Sequence, residues 1–202
     1  MSKVIFQNSI SLDGFVAGPN DSPENPLGDG GQALFNWYFS GDTEVTIPGA
    51  PPFKMSSRSA KLFQDGIKTI GTMVAGRRMF DIAGGWGGNP PGSPCFIVTH
   101  TVPQEWVYEG SPFIFVTGGI ESAIEQAKRA AGGKNVGIGS ANIAQQCLKA
   151  GLLDEITLNL IPVLLGSGVR LFEQFGDTPL QLEQLNVIEA DGVTHLTYRV
   201  IK

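Results

Sequence analysis

Along the chain, short apolar runs rich in β-branched residues alternate with stretches of helical periodicity, and glycine- or proline-rich segments separate them. Residues 3–9, 72–75, 95–99, 112–116, 136–138 and 156–163 read as strands. Helical spacing marks 56–70 and the amphipathic stretch 120–131, which Gly132-Gly133 closes. Gly76-Arg77-Arg78-Met79-Phe80 opens a short helix directly after a strand, and 32–39 spaces Leu34, Phe35, Trp37 and Tyr38 as a short aromatic helix. Loop chemistry fills 13–31, 41–54 and 84–94. At the C-terminal end, 185–189, a turn at Asp191-Gly192 and 193–201 read as a β-hairpin, whose alternation of Leu196, Tyr198 and Val200 sets His195 on the outer face. This pattern predicts an α/β fold: a mixed, mostly parallel sheet with helices on both faces and a C-terminal antiparallel hairpin. There is no repeat or linker, so residues 1–202 read as one domain.

Residues 136–172 are the densest segment. A short strand ends in Gly139-Ser140-Ala141, Asn142 can cap the next helix, Ile143, Cys147 and Leu148 share its apolar face, and Gly151 ends it. A strand-to-helix turn with so little side-chain bulk lets a phosphate or a flat ring lie against main-chain N–H groups at the positive helix end. An ordinary tight turn fits the same letters.

Composition narrows the field. Hydrophobic residues make up 42% and charged residues 16%, which is the make-up of a chain that buries a core. A net charge of −5 and the lack of any basic run argue against a nucleic-acid partner. No stretch approaches 18 apolar residues and the first residues lead straight into a strand, which argues against membrane spanning and secretion. Cys95 and Cys147 sit in apolar patterns, as reduced thiols of a cytoplasmic protein would, and with two distant histidines they form no metal motif.

Three glycine-containing turns follow strands: Ser11-Leu12-Asp13-Gly14, Gly76-Arg77-Arg78 and 139–141. In an open α/β sheet such turns converge on one cleft outside the carboxyl ends of the strands. Arg77 and Arg78 at a helix start make an anion site or a solvated pair. Asp13 either caps its own backbone or stands at the cleft. His100 either contacts an anion or is exposed, and Trp37 and Trp86 either cover a flat ring or seal the core. A Gly-x-Gly-x-x-Gly fingerprint is absent, because Asn142 stands where Gly137-Ile138-Gly139 would need a third glycine; Gly-x-Ser-x-Gly and the Walker pattern are absent too.

Together, 11–17 (Ser-Leu-Asp-Gly-Phe-Val-Ala), 76–80, 150–156 (Ala-Gly-Leu-Leu-Asp-Glu-Ile) and 162–168 (Pro-Val-Leu-Leu-Gly-Ser-Gly) resemble the dihydrofolate reductase-like superfamily over nearly the whole chain. More closely they resemble the reductase domain of bacterial riboflavin biosynthesis and its stand-alone relatives. The resemblance implies a three-layer α/β/α fold and NADPH-dependent hydride transfer of the 5-amino-6-(5-phosphoribosylamino)uracil reductase type. Val16, Ala17 and Gly18 would then line the nicotinamide and ribose. Gly76, Arg77, Arg78 and Met79 would hold the pyrophosphate and 2′-phosphate, with Thr99 and His100 beside the adenosine. Ile138, Gly139, Ser140, Ala141, Asn142 and Ile143 would pass beneath the nicotinamide-diphosphate. Asp13 is the candidate polar group on the substrate side, with Asn159 pointing from the facing strand. A family-like homodimer would place 156–165 near its interface.

The departures matter as well. The folate enzymes carry an acid on the helix after the first long loop, whereas 32–39 (Gln-Ala-Leu-Phe-Asn-Trp-Tyr-Phe) offers none, which argues against folate reduction. No basic cluster stands out for a ribosyl phosphate. The leading expectation is a reductase of a small heterocyclic or carbonyl/imine substrate. The alternatives are a non-catalytic, homo-oligomeric nucleotide-binding protein and a sugar-phosphate enzyme built on Arg77 and Arg78.

Overall fold

Strand-forming runs of Val, Ile and Phe supply the sheet around which the chain folds, and the computed structural model describes residues 2–173 and 179–202. In chain order the elements are β1 (Val4–Ser11), β2 (Phe15–Ala17), a 3-10 segment (Gly31–Phe39), β3 (Thr43–Val45), β4 (Phe53–Met55), α1 (Ser57–Thr69), β5 (Ile70–Gly76), α2 (Arg77–Ile82), a 3-10 turn (Gly84–Gly88), β6 (Cys95–Val98), β7 (Phe113–Val116), α3 (Gly119–Ala130), β8 (Asn135–Ile138), α4 (Ala141–Lys149), β9 (Glu155–Ile161), β10 (Val169–Arg170), β11 (Leu182–Ala190) and β12 (Val193–Val200). A further single 3-10 turn spans Gln104–Trp106.

Eight strands form one sheet in the order β11-β12-β9-β1-β8-β5-β6-β7. The six from β9 to β7 pair in parallel, and β12 joins antiparallel to β9 with β11 as its hairpin partner. The result is the mixed α/β/α arrangement expected of the dihydrofolate reductase-like fold.

Period-two alternation decides which side chains meet which layer. On one face Val4, Phe6, Val74, Phe96, Val136 and Ile138 pack with Ile120, Ile124, Ile143 and Leu148 of α3 and α4. On the other, Met73, Ala75, Cys95, Ile97 and Phe113 meet Phe80 of α2, while Leu34, Trp37 and Ala60 join Ile161 and Val193. Both thiols are buried and free, and burial pushes each up to about 12.

The second face also carries a polar row, because Ser9, Asn159 and His195 stand side by side across β1, β9 and β12. All three are buried, and each finds a partner. Trp37 Nε1 donates to Ser9 Oγ at 3.0 Å. His195 Nδ1 donates to Asn159 Oδ1 at 2.8 Å, and its Nε2 accepts from the Ser59 hydroxyl at 2.9 Å. His195 is therefore not on an outer face: α1 covers that side of the hairpin, which strand alternation alone does not reveal. Burial lowers its pKa to about 4, so the ring is neutral.

Other boundaries move for local reasons. The aromatic stretch 32–39 is 3-10 rather than α, starting from left-handed Gly30. The expected loop 41–54 contains the β3–β4 pair. Ser140, not Asn142, is the N-cap residue of α4, and Asn142 Oδ1 accepts from Gln146 Nε2 at 2.6 Å. The strand expected near a dimer interface, β9, lies inside the sheet with both edges paired, to β1 and β12.

Candidate functional site

A cavity of about 1230 Å³ opens at the carboxyl ends of β5, β6, β7 and β8, where the parallel strands hand over to helices. Its volume exceeds the roughly 300–1,000 Å³ of a pocket for one drug-sized ligand. Its wall divides into a polar limb and an apolar limb.

The polar limb is made by turns. Gly76 leads into α2, Gly119 opens α3, and 139–141 lead into α4. None of these three helices has a side-chain cap, so N–H groups of their first turns have no partner from within the helix. The Ser140 hydroxyl is turned away from its own helix and accepts from Gly76 N at 3.3 Å, tying the two turns together. Gly76 is close-packed here: a Cβ would meet Ser140 Oγ at 3.3 Å and Ile143 Cγ1 at 3.4 Å. At Gly139 a Cβ would overlap Met73 Cε, with Met79 Sδ 3.5 Å away. The Gly139-Ser140 peptide is trans; among the described residues the cis bond is Ser93-Pro94.

Two guanidinium groups flank this limb. Arg77 Nε donates to Asp81 Oδ1 at 2.7 Å, and its Nη1 to the Thr101 carbonyl at 2.8 Å. Arg78 Nη2 donates to Asp21 Oδ1 at 2.6 Å and to the Asp21 carbonyl at 2.8 Å, while its Nε reaches Oδ2 at 3.2 Å. The Asp21 carboxylate, through its hydrogen bonds and then its charge, pushes Arg78 further above its already high value. Thr99 and His100 complete this end, with Thr101, Thr117 and Gln146.

The apolar limb lies between the 3-10 segment Gly31–Phe39, β5, α2 and the turn Gly84–Gly88. Phe35, Tyr38, Met73, Ile82, Trp86 and Pro91 line it, and Gln7 contributes an amide. Trp86 has φ 49° and stands between glycines that all have positive φ, a left-handed turn that is costly for a bulky residue. Its ring stacks at 26° on Phe113, and a Cβ added at Gly49 would meet its Cβ at 3.0 Å.

The structure brings Val16, Ala17, Gly76, Arg77, Arg78, Met79, Thr99, His100, Ile138, Gly139, Ser140, Ala141, Asn142 and Ile143 onto this one cavity. Gly18 is not in the wall. It serves a chain crossing, where Gly18 N donates to the Leu27 carbonyl at 2.9 Å and a Cβ would overlap the Asp29 backbone.

Asp13 and Asn159 are not in the wall either. Ser11 Oγ donates to Asp13 Oδ1 at 2.6 Å, and the N–H groups of Leu165 and Gly166 donate to its two oxygens at 3.1 and 2.7 Å. The Ser11 hydroxyl first, and then these N–H groups, hold the carboxyl at about 2. The Asp-Gly turn thus anchors the loop that follows β9, and Asn159 belongs to the buried polar row. Asp21 and Tyr38 were missed as cavity groups, whereas Trp86, left open between covering a ring and sealing the core, lines the cavity. Asp21 stands 57 residues before its partner Arg78, and a Trp among glycines in a loop carries no sign of which way it faces.

The segment 32–39 is 3-10 and carries no carboxylate, and the first α-helix, α1, buries Ser59 and Ala60. Its Asp65 is exposed and pairs with Lys61 and Lys68. Among the described residues there is no cluster of His, Cys, Asp and Glu able to hold a metal, and no helix long and apolar enough to cross a membrane.

The model of the RibD C-terminal domain family matches residues 2–196, so the chain belongs to that family. No curated protein matches the sequence. Among solved structures, a putative riboflavin biosynthesis protein from Shewanella sp. PV-4 shares 23% identity at a TM-score of 0.70, covering 100% of each chain. RibD of Acinetobacter baumannii shares 16% identity at a TM-score of 0.64, with 100% of this chain against 59% of that one. Dihydrofolate reductase of Enterococcus faecalis, complexed with NADP(H), shares 14% identity at a TM-score of 0.57 over 99% and 97% of the two chains. At these identities the likeness is one of fold.

Proposed function

We propose that this member of the RibD C-terminal domain family is an NADPH-dependent oxidoreductase of the riboflavin-biosynthesis reductase type, acting on a small heterocyclic or carbonyl/imine substrate. The observation that carries the reading is the polar limb, where three uncapped helix starts and two guanidinium groups surround a glycine-lined turn. That wall fits a dinucleotide: N–H groups and helix ends favour phosphate, and the absence of a Cβ at Gly139 and Gly76 keeps the turns tight. The same fold carries NADP(H) in the Enterococcus faecalis enzyme.

In this reading the turn from Gly139 to Ile143 receives the diphosphate, Arg77 and Arg78 the 2′-phosphate, Thr99 and His100 flank the adenosine, and Val16 and Ala17 border the nicotinamide. A reduced nicotinamide held there supplies a hydride at C4. The chain itself supplies orientation and a largely apolar chamber for the acceptor, the two contributions that raise the rate of a hydride transfer without a catalytic metal or base. Asp13 and Asn159 act by holding the loop after β9 and the sheet in place rather than by touching the acceptor. The engagement of Asp13 by Ser11 and the loop also favours a second reading, in which the protein binds the dinucleotide without turning it over.

Titration of the protein into NADPH, followed by nicotinamide fluorescence, tests the proposal. Saturable binding is expected, at least tenfold tighter than for NADH, because one charge-assisted phosphate contact contributes about 1.5–3 kcal/mol. Absence of binding refutes it. NADPH binding without oxidation across a panel of carbonyl and imine acceptors supports the second reading. A homodimer remains part of the proposal, with β11, the outer strand that exposes Leu182, Leu185 and Val187, as its contact face. Sedimentation velocity checks it.

A further inference from the structure

Among the described residues, the apolar limb of the cavity has no charge to offer a ligand. The chain has 14 Lys and Arg residues, all within the described residues, and only Arg77 and Arg78 line the cavity. Both stand at the start of α2, in the polar limb, and both already hold carboxylates. Among the described residues no acidic side chain lines the apolar limb either. Its walls are aromatic and aliphatic: Phe35 and Tyr38 on one side, Ile82, Trp86 and Pro91 on the other, with Met73 at the base where the limbs meet. A phosphate placed there would lose its hydration with no cation in return, which is prohibitive for a dianion.

Among the described residues Tyr38 supplies the one hydroxyl of this limb. Its ring is fixed edge-on against Trp37 at 4.3 Å and Phe63 at 5.8 Å and lies tilted against Phe53 at 4.6 Å. No hydrogen bond to another described residue engages its hydroxyl, which is not sealed from solvent, and Tyr38 is one of the residues lining the cavity. Burial raises its pKa, which keeps the phenol protonated and a donor at any physiological pH. Trp86, held on the strained left-handed turn with its ring stacked on Phe113, lines the same cavity.

Resting on the reading as a nicotinamide-dependent reductase, and departing from the phosphoribosyl substrate of the riboflavin-type reaction, we propose that the acceptor is an uncharged, flat, conjugated carbonyl or imine without a phosphate, packed against Trp86 with its heteroatom hydrogen-bonded by the Tyr38 hydroxyl. In the reaction this implies, the acceptor carbon gains hydride, and with it two electrons, from the reduced nicotinamide. The carbonyl or imine π bond breaks, its heteroatom takes a proton from water, and the nicotinamide leaves oxidised. Tyr38 donates a hydrogen bond to that heteroatom as charge develops on it.

The test is binding, read by quenching of tryptophan fluorescence and by calorimetry, with three probes: 2-naphthaldehyde, naphthalene and 4-formylphenyl phosphate. The aldehyde is expected to bind at least tenfold more tightly than the phosphate ester. It should also bind more tightly than naphthalene, and Tyr38→Phe, which keeps the ring and its packing, should shrink that gap several-fold while leaving naphthalene unchanged. Equal or tighter binding of the phosphate ester overturns the proposal, as does a gap that Tyr38→Phe leaves intact. NADPH binding is measured on the same samples. If NADPH fails to bind while the probe pattern holds, the reductase reading falls and the ligand class stands; if NADPH binds and the pattern fails, the reverse is true.

Discussion

The buried histidine makes this protein acid-sensitive in a definite pH window. His195 is 1% exposed, its Nδ1–H is spent on Asn159 and its Nε2 on Ser59, so a proton can be added only by burying a charge. In the unfolded chain the imidazole titrates near 6.5; in the fold it titrates near 4. Between those values the unfolded state binds the extra proton. Stability is therefore full above about 6.5, falls as pH drops, and has lost the whole contribution below about 4. From pH 7.5 to pH 5 the loss comes to about 2 kcal/mol. With an unfolding slope of about 2 kcal/mol per molar urea, the midpoint should move down by about 1 M. Urea unfolding followed by circular dichroism at both pH values reads this directly. His195→Gln should be less stable than the parent at pH 7.5, having lost part of the buried network, but its midpoint should depend far less on pH across the same interval. A parent midpoint that stays constant, or a His195→Gln protein with the parent's slope, would refute the reasoning.

Other residues give sharper readings of the site. Arg77→Ala combined with Arg78→Ala should remove most of the preference for NADPH over NADH, a change of roughly ten- to hundred-fold in relative affinity, in a protein whose circular dichroism is unaltered. Asp21→Asn should do the opposite and raise that preference, because it frees Arg78 from a carboxylate that competes with phosphate; paired titrations of the two cofactors check both. Gly139→Val should weaken NADPH binding at least tenfold in a folded protein, since its Cβ overlaps the Met73 methyl at the cavity wall and forces a shift there. Asp13→Asn should lower the melting temperature and speed proteolysis near 164–168 while leaving the NADPH dissociation constant unchanged, and a changed constant would return Asp13 to the site.

Much of this architecture is legible in local letters. Gly76-Arg77-Arg78 and 139–141 follow apolar strands and precede helical periodicity, so their place at strand ends follows from the pattern, and parallel pairing then brings them to one cleft. What the letters do not carry is the pairing of distant faces. His195 alternates with Leu196 and Tyr198 as an outward residue would, and only the packing of α1, through Ser59, makes that face an interior. Asp13 has the right place in chain order for a cleft, but three donors from Ser11 and the loop after β9 claim its carboxylate. Asn142 has a capping side chain, yet the helix is entered two residues earlier, at Ser140, which turns its hydroxyl to Gly76 instead. Trp86 stands out as an aromatic in a glycine-rich loop, but the left-handed turn that carries it to the cavity wall belongs to backbone geometry.

A crystal structure of the protein soaked with NADP⁺ tests the central claim most directly. The account predicts density along the polar limb, with the diphosphate against the N–H groups of 140–143, the 2′-phosphate within hydrogen-bond distance of Arg77 or Arg78, and the nicotinamide beside Val16 and Ala17 facing the apolar limb. A dinucleotide bound elsewhere, or a polar limb left empty at saturating NADP⁺, would contradict it.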